Sequence, residues 1–272
     1  MQVHARKQRA AAGERAALLG GLATAGLASA AAYVLYSFAT GKSSAKSSGI
    51  KLTYFNLHGA AEPTRLALAL TRTPFVDDRL TQERWKEVKP LMKYGQVPMM
   101  SREGKQYYQS SAMLRWVGSY CGDGSLYPVF DDAETTYQID EMLGLCDDLE
   151  RAWSPCRYVA MRPTTFGHPD DWPMNEKAAT VKRLRERFVE DEEAFPRFLT
   201  YFTERLQEAP FLCGSLPTIA DCRLLPQLRY FTLGKADHVP TTVLDDYPAI
   251  VAWVDRMMAL PEIKAWYDVE GH

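Results

Sequence analysis

The spacing of apolar and polar residues after residue 50 predicts two regions of different kinds. In the first region, short runs rich in β-branched and aromatic residues alternate with segments whose apolar positions recur at helical spacing. The predicted elements are strands at 51–56, 74–80, 95–100 and 106–108, with helices at 61–72, 82–92 and 110 to about 120. The order βαβαββα predicts a small mixed sheet with helices on both faces, an α/β domain.

The second region has helical spacing throughout and almost no strand pattern. The predicted helices cover roughly 131–161, 175–208, 218–232, 247–259 and 261–268, which is typical of an all-α bundle. A linker from Tyr127-Pro128 to Asp131 separates the regions, so the predicted domains are 50–128 and 131–272. Residues 218–221 (TIAD) fit a capping box that opens a helix, so Asp221 is expected to act in folding and not in catalysis.

Residues 1–49 differ from both domains. Residues 16–41 form an uncharged run of 26 residues between Arg15 and Lys42, which is long enough to span a bilayer as a helix. A basic tip precedes this run, and a linker rich in Ser, Lys and Gly follows it. We interpret it as a retained membrane anchor. The alternatives are a cleaved secretory signal ending near residues 28–30 and a mitochondrial or plastid presequence.

Charge and cysteine content exclude some classes of function. Residues 1–49 carry six Lys or Arg against one Glu, a net charge of +5. The remaining 223 residues therefore carry −7 of the overall −2. An acidic body argues against nucleic acid as a partner. The five cysteines are scattered, with no CxxC pair, which is typical of free thiols in a reducing compartment. No cluster of His and Cys has the spacing of metal ligands, so no metal site is predicted.

Five short strings in the two domains resemble one known family. In chain order they are KLTYFN, GAAEPTR, GQVPMM, QSSAMLRW and LPTIADC, and they extend over most of residues 51–272. They are similar to strings of the soluble glutathione transferases, especially the sigma-type enzymes, which include glutathione-dependent prostaglandin D synthase. The resemblance implies a thioredoxin-like first domain, an all-helical second domain, and glutathione as co-substrate.

The resemblance places catalysis on Tyr54. A thiolate is the nucleophile, whereas a free thiol with a pKa of ~8.5 is mostly protonated at neutral pH. A phenol O–H directed at the sulfur stabilises the anion by about 1.5–3 kcal/mol, roughly one to two pKa units. Taken alone, the run TYF is typical of a buried strand aromatic. Sigma-type enzymes usually have Arg where this chain has Ala60, so this chain lacks the cation that the resemblance implies at that position. Glu62 and Arg65 are expected to form a structural ion pair.

The same resemblance assigns the peptide-binding groups. A cis peptide between Val97 and Pro98 would turn the backbone of Val97 outward to pair with the cysteinyl part of glutathione. Gln109 and Ser110 would receive the γ-glutamyl carboxylate at the start of a helix. Without the resemblance, Pro98 would be interpreted as an ordinary edge-strand proline, and Ser110 would be interpreted as the N-cap of a helix.

The glycyl end of glutathione is expected to contact Trp85, Lys89 and Gln96. A buried aromatic and a solvated lysine remain an equal alternative for the first two. Asp148 is expected to reach the amino group of glutathione in the partner subunit of a homodimer, the alternative being a solvated helix face.

The electrophile is expected to bind between Phe55 and the end of the first long helix, near Trp153 and Tyr158. The insertion at 162–175 would roof or flank that pocket. The leading hypothesis is a glutathione transferase acting on small apolar electrophiles, with glutathione-dependent peroxide isomerisation as a variant. An alternative is a catalytically idle subunit that docks in a membrane-associated complex. Thiol–disulfide exchange is disfavoured because no cysteine lies near the first strand–helix turn.

Overall fold

The computed structural model describes residues 49–270 and contains a mixed α/β domain followed by a helical domain. The first has strands β1 (Ile50–Phe55), β2 (Phe75–Leu80), β3 (Met99–Arg102) and β4 (Lys105–Tyr108). Its helices are α1 (Glu62–Leu70), α2 (Gln82–Val88) and α3 (Ser110–Tyr120). The predicted order βαβαββα is therefore confirmed.

The sheet has the strand order β2-β1-β3-β4. Strands β1 and β2 are parallel, which requires the crossover through α1, whereas β3 is antiparallel to both β1 and β4. Adjacent residues Met99 and Met100 belong to different apolar clusters, because successive strand side chains point to opposite faces. Helix α2 contributes Val88 to the smaller cluster, and helices α1 and α3 pack in the larger one. Helices thus cover both faces of the sheet.

The second domain is helical throughout its described part. Its helices are α4 (Ala133–Tyr158), α5 (Met174–Glu190), α6 (Phe195–Glu208), α7 (Ile219–Thr232), α8 (Pro248–Ala259) and α9 (Pro261–Glu270). The single helix predicted at 175–208 is wrong, because α5 ends at Glu190 and a new helix begins at Phe195. Pro196 lies in the first turn of α6, where its missing N–H leaves no hydrogen bond unmade.

The predicted capping box at the start of α7 is confirmed. Asp221 is fully buried, and its carboxylate accepts hydrogen bonds from the backbone N–H groups of Thr218 at 2.8 Å and Leu212 at 3.0 Å. It also accepts a bond from Trp253 Nε1 at 2.8 Å. Asp221 therefore joins three segments of the helical domain and is enclosed in protein.

The last helix returns to the first domain. Trp266 on α9 donates a hydrogen bond from Nε1 to Glu62 Oε1 at 2.8 Å, and both side chains are buried. Arg72, just after α1, pairs with Glu262 at 2.6 Å. Helix α9 therefore contacts the first domain at Glu62 and Arg72, which lie at the start of helix α1 and just after its end.

In residues 49–270, no helix combines the length and the apolar character needed to cross a membrane. The predicted anchor at 16–41 and its alternatives lie outside the described residues and stay predictions.

Candidate functional site

Tyr54 lies near the end of β1, and the chain then turns back toward its hydroxyl group. The backbone N–H of Ala60 donates a hydrogen bond to Tyr54 Oη at 3.2 Å. Gly59 makes this approach possible, since a Cβ there would lie 2.6 Å from Tyr54 Oη and 2.6 Å from Leu57 Cδ1. Gly59 also has a φ of +44°, a conformation that glycine adopts without steric cost. The turn therefore depends on glycine at this position.

Burial is the main influence on the hydroxyl of Tyr54 and raises its pKa above the ordinary phenol value. The Ala60 hydrogen bond and the nearby charges of Arg65 and Arg157 oppose that rise without reversing it. At neutral pH the side chain is thus a neutral phenol. Because Ala60 occupies one lone pair of the oxygen, the O–H is available to donate to another group.

Arg65 stabilises the turn that follows β1 through buried polar contacts. Its side chain is fully buried, and Nη1 donates to the carbonyl oxygen of Leu57 at 2.8 Å. The same guanidinium pairs with Glu62 at 3.1 Å and with Asp77 at 3.0 Å, so the predicted ion pair of Glu62 and Arg65 is confirmed and extended. The Arg65 Cζ atom lies 5.8 Å from the ring centroid of Tyr54. A cation therefore lies beside this tyrosine although residue 60 is alanine.

A cleft of about 210 Å³ lies beside this turn. Its lining residues are Ala60, Tyr94, Gln96, Val97, Pro98, Tyr108, Gln109 and Ser110. Five of the predicted glutathione-binding residues thus line one cleft, together with the residue that bonds to the Tyr54 hydroxyl. Tyr94 and Tyr108 were not predicted, although each directly precedes a recognised string, GQVP or QSSA.

The peptide bond between Val97 and Pro98 is cis, as the resemblance implies. The strand ladder begins two residues after Val97, since the first β3 pair joins Met99 to Thr53. Val97 therefore lines the cleft outside the paired part of the sheet, where an extended peptide could lie beside its backbone.

The N-terminus of α3 forms the far end of the cleft. Gln109, not Ser110, occupies the N-cap position, so the interpretation of Ser110 as an N-cap is wrong. Gln109 has φ 72° and ψ 111°, an uncommon conformation for a residue with a side chain, and its side chain makes no capping hydrogen bond. The first N–H groups of α3 and the Ser110 hydroxyl are thus placed to meet an anion.

Trp85 and Phe55 form an aromatic pair that does not line the cleft. Their ring centroids are 5.5 Å apart, and both pack on the smaller apolar cluster together with Val97. Lys89 Nζ lies 6.0 Å from the Trp85 ring. Phe55 therefore packs beside Val97 and points to the opposite face of β1 from Tyr54. The electrophile role expected for Phe55 stays a prediction.

The two aromatic residues predicted on α4 have different environments. Trp153 is 1% exposed and packs against Phe188 and Phe231 with centroid separations of 5.0 Å. This is the environment of a core residue, in contrast to the pocket role expected for it. Tyr158 is half-buried at the end of α4 and, with Arg157, influences the pKa of Tyr54. Arg157 was not predicted, since nothing in the sequence distinguishes it from other arginines.

Asp148 does not line the cleft of its own chain. Its exposed carboxylate pairs with Arg151 and borders an open groove that also includes Tyr201. The neighbouring Asp147 pairs with Arg223 at 3.0 Å. The groove is accessible from outside the subunit.

The cysteines do not line the cleft. All five are buried, and burial raises the pKa of the Cys156 thiol to about 11 and that of Cys213 to about 12. They are therefore protonated at neutral pH and unsuited to nucleophilic attack. Residues 49–270 contain no group of three or more His, Cys, Asp or Glu side chains that could hold a metal ion.

Comparison with known proteins agrees with this geometry. Residues 171–270 match the family described as "Glutathione S-transferase, C-terminal domain". The chain is 40% identical over 218 residues to Glutathione S-transferase P of Caenorhabditis elegans, covering 80% of this chain and 91% of that one. It is 29% identical to Hematopoietic prostaglandin D synthase of Gallus gallus, covering 79% and 94%.

A solved prostaglandin synthase D from Nilaparvata lugens superposes with a TM-score of 0.65 at 28% identity, covering 80% of this chain and 96% of that chain. This chain therefore shares with that protein a thioredoxin-like domain followed by a helical domain. The chain belongs to the glutathione S-transferase family and is a glutathione transferase.

Proposed function

We propose that this protein conjugates glutathione to small apolar electrophiles and that Tyr54 stabilises the glutathione thiolate. The observation that carries the proposal is the hydrogen bond from the Ala60 N–H to Tyr54 Oη at the edge of the cleft. It orients a neutral phenol whose proton can be donated to a sulfur in that cleft. Donation to a charged acceptor favours the thiolate by roughly one to two pKa units.

The cleft suggests how the tripeptide lies. The backbone of Val97, with Pro98 fixing its direction, pairs with the cysteinyl part. Gln109 and Ser110 receive the γ-glutamyl carboxylate at the N-terminus of α3. The glycyl end then points toward Gln96, with Trp85 and Lys89 beyond it.

The chemical step requires little from the protein after the thiolate has formed. The sulfur lone pair forms a C–S bond with the electrophilic carbon, and a leaving group departs or a π bond shifts. The thiol proton goes to solvent. Tyr54 keeps its own proton, because burial raises its pKa.

A sigma-like subclass is part of this proposal. The five strings carry it, and the similarity to prostaglandin synthases supports a second activity, the glutathione-dependent isomerisation of a lipid peroxide. In that reaction the thiolate attacks one peroxide oxygen, forming an S–O bond as the O–O bond breaks, and the other oxygen takes a proton to become a hydroxyl. Loss of the proton from the carbon that bears the S–O oxygen then forms a C=O bond and releases the thiolate. The insertion at 162–175 argues against assigning a particular peroxide.

A two-fold dimer completes the proposed site. Asp148 is exposed beside an open groove and not at the cleft of its own chain, so its carboxylate is available to the glutathione of a second subunit. The predicted membrane attachment through 16–41 would place the enzyme near lipophilic substrates and remains a proposal.

Turnover of 1-chloro-2,4-dinitrobenzene with glutathione tests the proposed activity, with glutathione binding to the same full-length protein measured by calorimetry. We expect binding and release of one chloride per conjugate formed. Absence of both would contradict the enzyme proposal and favour the idle docking subunit, for which neither the fold nor the relatives offer support. Binding without turnover would contradict the assigned chemistry alone.

A further inference from the structure

The turn between β1 and α1 determines where the Ala60 N–H lies, and this group donates to Tyr54 Oη at 3.2 Å. Most of the turn is on the surface, where the exposed residues are Asn56, Leu57, Gly59 and Ala60. A surface segment with few buried apolar contacts opens locally at a small cost in free energy. The position of the Ala60 N–H therefore depends on the polar groups that hold the turn from its buried side.

Arg65 binds two carbonyl oxygens of this turn. Its Nη1 atom donates to Leu57 O at 2.8 Å and to His58 O at 3.3 Å. The same atom lies 3.1 Å from Glu62 Oε2, and both charged side chains are 0% exposed. Asp77 pairs with the Nε atom at 3.0 Å. Two carboxylates thus fix the plane of the guanidinium, and the one at Glu62 sets the end from which the turn is held.

The other oxygen of Glu62 is bound from the second domain. Trp266 on α9 donates from Nε1 to Glu62 Oε1 at 2.8 Å, and Trp266 is 1% exposed. One buried carboxylate therefore joins α9 to Arg65. The next residue of α9, Tyr267, has its ring centroid 5.6 Å from that of His58. Helix α9 thus reaches the turn at two neighbouring residues, through a shared carboxylate and through a ring contact.

From this continuous path we propose that Trp266 is a positioning residue for the transferase reaction, because through Glu62 and Arg65 it holds the turn that orients the Tyr54 hydroxyl. The proposal rests on the role of Tyr54 proposed above and extends it to the last helix of the second domain. A small displacement of a donor from its reacting position is enough to lower a catalysed rate. The second domain thereby influences the thiolate without contacting glutathione at this point.

Trp266→Phe tests the proposal in the full-length protein, because it keeps a ring in the core and removes only the donor. The ultraviolet absorbance of the thiolate gives the pKa of bound glutathione. That pKa should rise by about 0.5 units, and kcat at neutral pH should fall about threefold. The KM for glutathione should stay within about twofold, since Val97 and Ser110 are unaltered. An unchanged pKa in folded Trp266→Phe would overturn the proposal.

Trp253→Phe is the matched control. Trp253 is fully buried, and its indole Nε1 donates to the fully buried carboxylate of Asp221 at the same distance, 2.8 Å. Its removal should therefore destabilise the protein to a similar extent, while the pKa of bound glutathione stays as it is. Equal pKa shifts in Trp253→Phe and Trp266→Phe would show a general loosening of the second domain and would overturn the proposal.

A double variant shows whether the effect passes through Tyr54. In a Tyr54→Phe background, Trp266→Phe should add less than about 0.1 units to the pKa of bound glutathione, because both changes act on one hydroxyl group. A shift as large as in the unaltered background would contradict the proposed path. If Tyr54→Phe alone leaves the pKa unchanged, the proposed role of Tyr54 fails. If Tyr54→Phe raises it and Trp266→Phe does not, only the positioning role fails.

A milder variant keeps the proposal testable if Trp266→Phe does not fold. Arg72 is exposed and pairs at 2.6 Å with Glu262, which lies one turn before Trp266 on α9. Arg72→Gln should loosen α9 and speed amide hydrogen exchange in residues 57–61 by about two- to fivefold. Lys264→Gln removes an exposed ion pair within α9 and should leave this exchange unchanged. Equal exchange rates in Arg72→Gln and the unaltered protein would overturn the proposal.

Discussion

The two sides of the site use different kinds of chemical group: backbone groups on one side and side chains on the other. In the proposed function, the glutathione side uses backbone groups held by local geometry: the Ala60 N–H, the segment at Val97, and the first turn of α3. In the same proposal, the electrophile side uses side chains at the end of α4, such as Tyr158 and the neighbouring Arg157. Substitutions on the first side should therefore affect every electrophile, whereas those on the second should affect only some.

The largest expected effect concerns stability of the helical domain and leaves the chemistry unchanged. Asp221→Ala leaves the N–H groups of Leu212 and Thr218 and the indole of Trp253 without their buried acceptor, so it should lower the free energy of unfolding by about 3 kcal/mol. Denaturant unfolding measures this. The exposed cap Asp132, changed to Ala, should cost only about 1 kcal/mol. A loss of kcat in correctly folded Asp221→Ala would show that the catalytic site depends directly on this buried carboxylate.

The next effect should appear at Tyr54. Tyr54→Phe removes the donor, so the pKa of bound glutathione should rise by about one to two units, and kcat/KM at neutral pH should fall about 10- to 100-fold. Because burial raises the pKa of Tyr54 itself, the phenol stays protonated as the thiol titrates. Activity of the unaltered enzyme should thus rise with pH until the thiol is ionised and then stay level. The ultraviolet absorbance of the thiolate follows both changes.

Tyr158→Phe is the matched comparison on the electrophile side. It should leave the pKa of bound glutathione within about 0.3 units, since its hydroxyl acts only at a distance. A shift as large as that in Tyr54→Phe would show that the thiolate depends on both domains.

Gly59→Ala should have a smaller effect at the same point. The added Cβ would lie 2.6 Å from Tyr54 Oη, so the hydroxyl must move and kcat should fall about tenfold. Gly104→Ala, in the turn between β3 and β4, has a positive φ of +76° and nothing within 4 Å of the added Cβ, so it reports the backbone strain alone. Equal activity losses in the two variants would refute a specific role for the close approach at Tyr54.

The smallest expected effect is on glutathione affinity. Ser110→Ala removes one hydroxyl from the cleft and should raise the KM for glutathione about two- to fivefold with kcat nearly unchanged. Ser111→Ala, one residue further along the same helical turn, should leave the KM as it is. Steady-state kinetics at saturating electrophile distinguish the two outcomes.

The features of the fold that could be predicted from the sequence depend on residues close together in the chain. The element order, the Thr218–Asp221 box and the ion pair of Glu62 and Arg65 depend on residues a few positions apart, and each is present. The positions of Gln96, Val97, Pro98, Gln109 and Ser110 came from the family resemblance, and they line one cleft.

The remaining features depend on packing. The sequence of a long helix does not show what surrounds each aromatic side chain. Trp153 was therefore predicted to line a pocket, although it lies in the core. The electrostatic influence of Arg157 on Tyr54 arises between the two domains, which no local pattern describes.

The return of α9 to the first domain has a consequence for engineering. Trp266 and Glu262, near the end of the chain, are bound to Glu62 and Arg72, which flank α1. A chimera that exchanges the thioredoxin-like half with that of a relative would keep these contacts only if the donor matched at positions 62 and 72. The natural unit for such a swap is therefore discontinuous in sequence and consists of residues 50–128 together with the final helix.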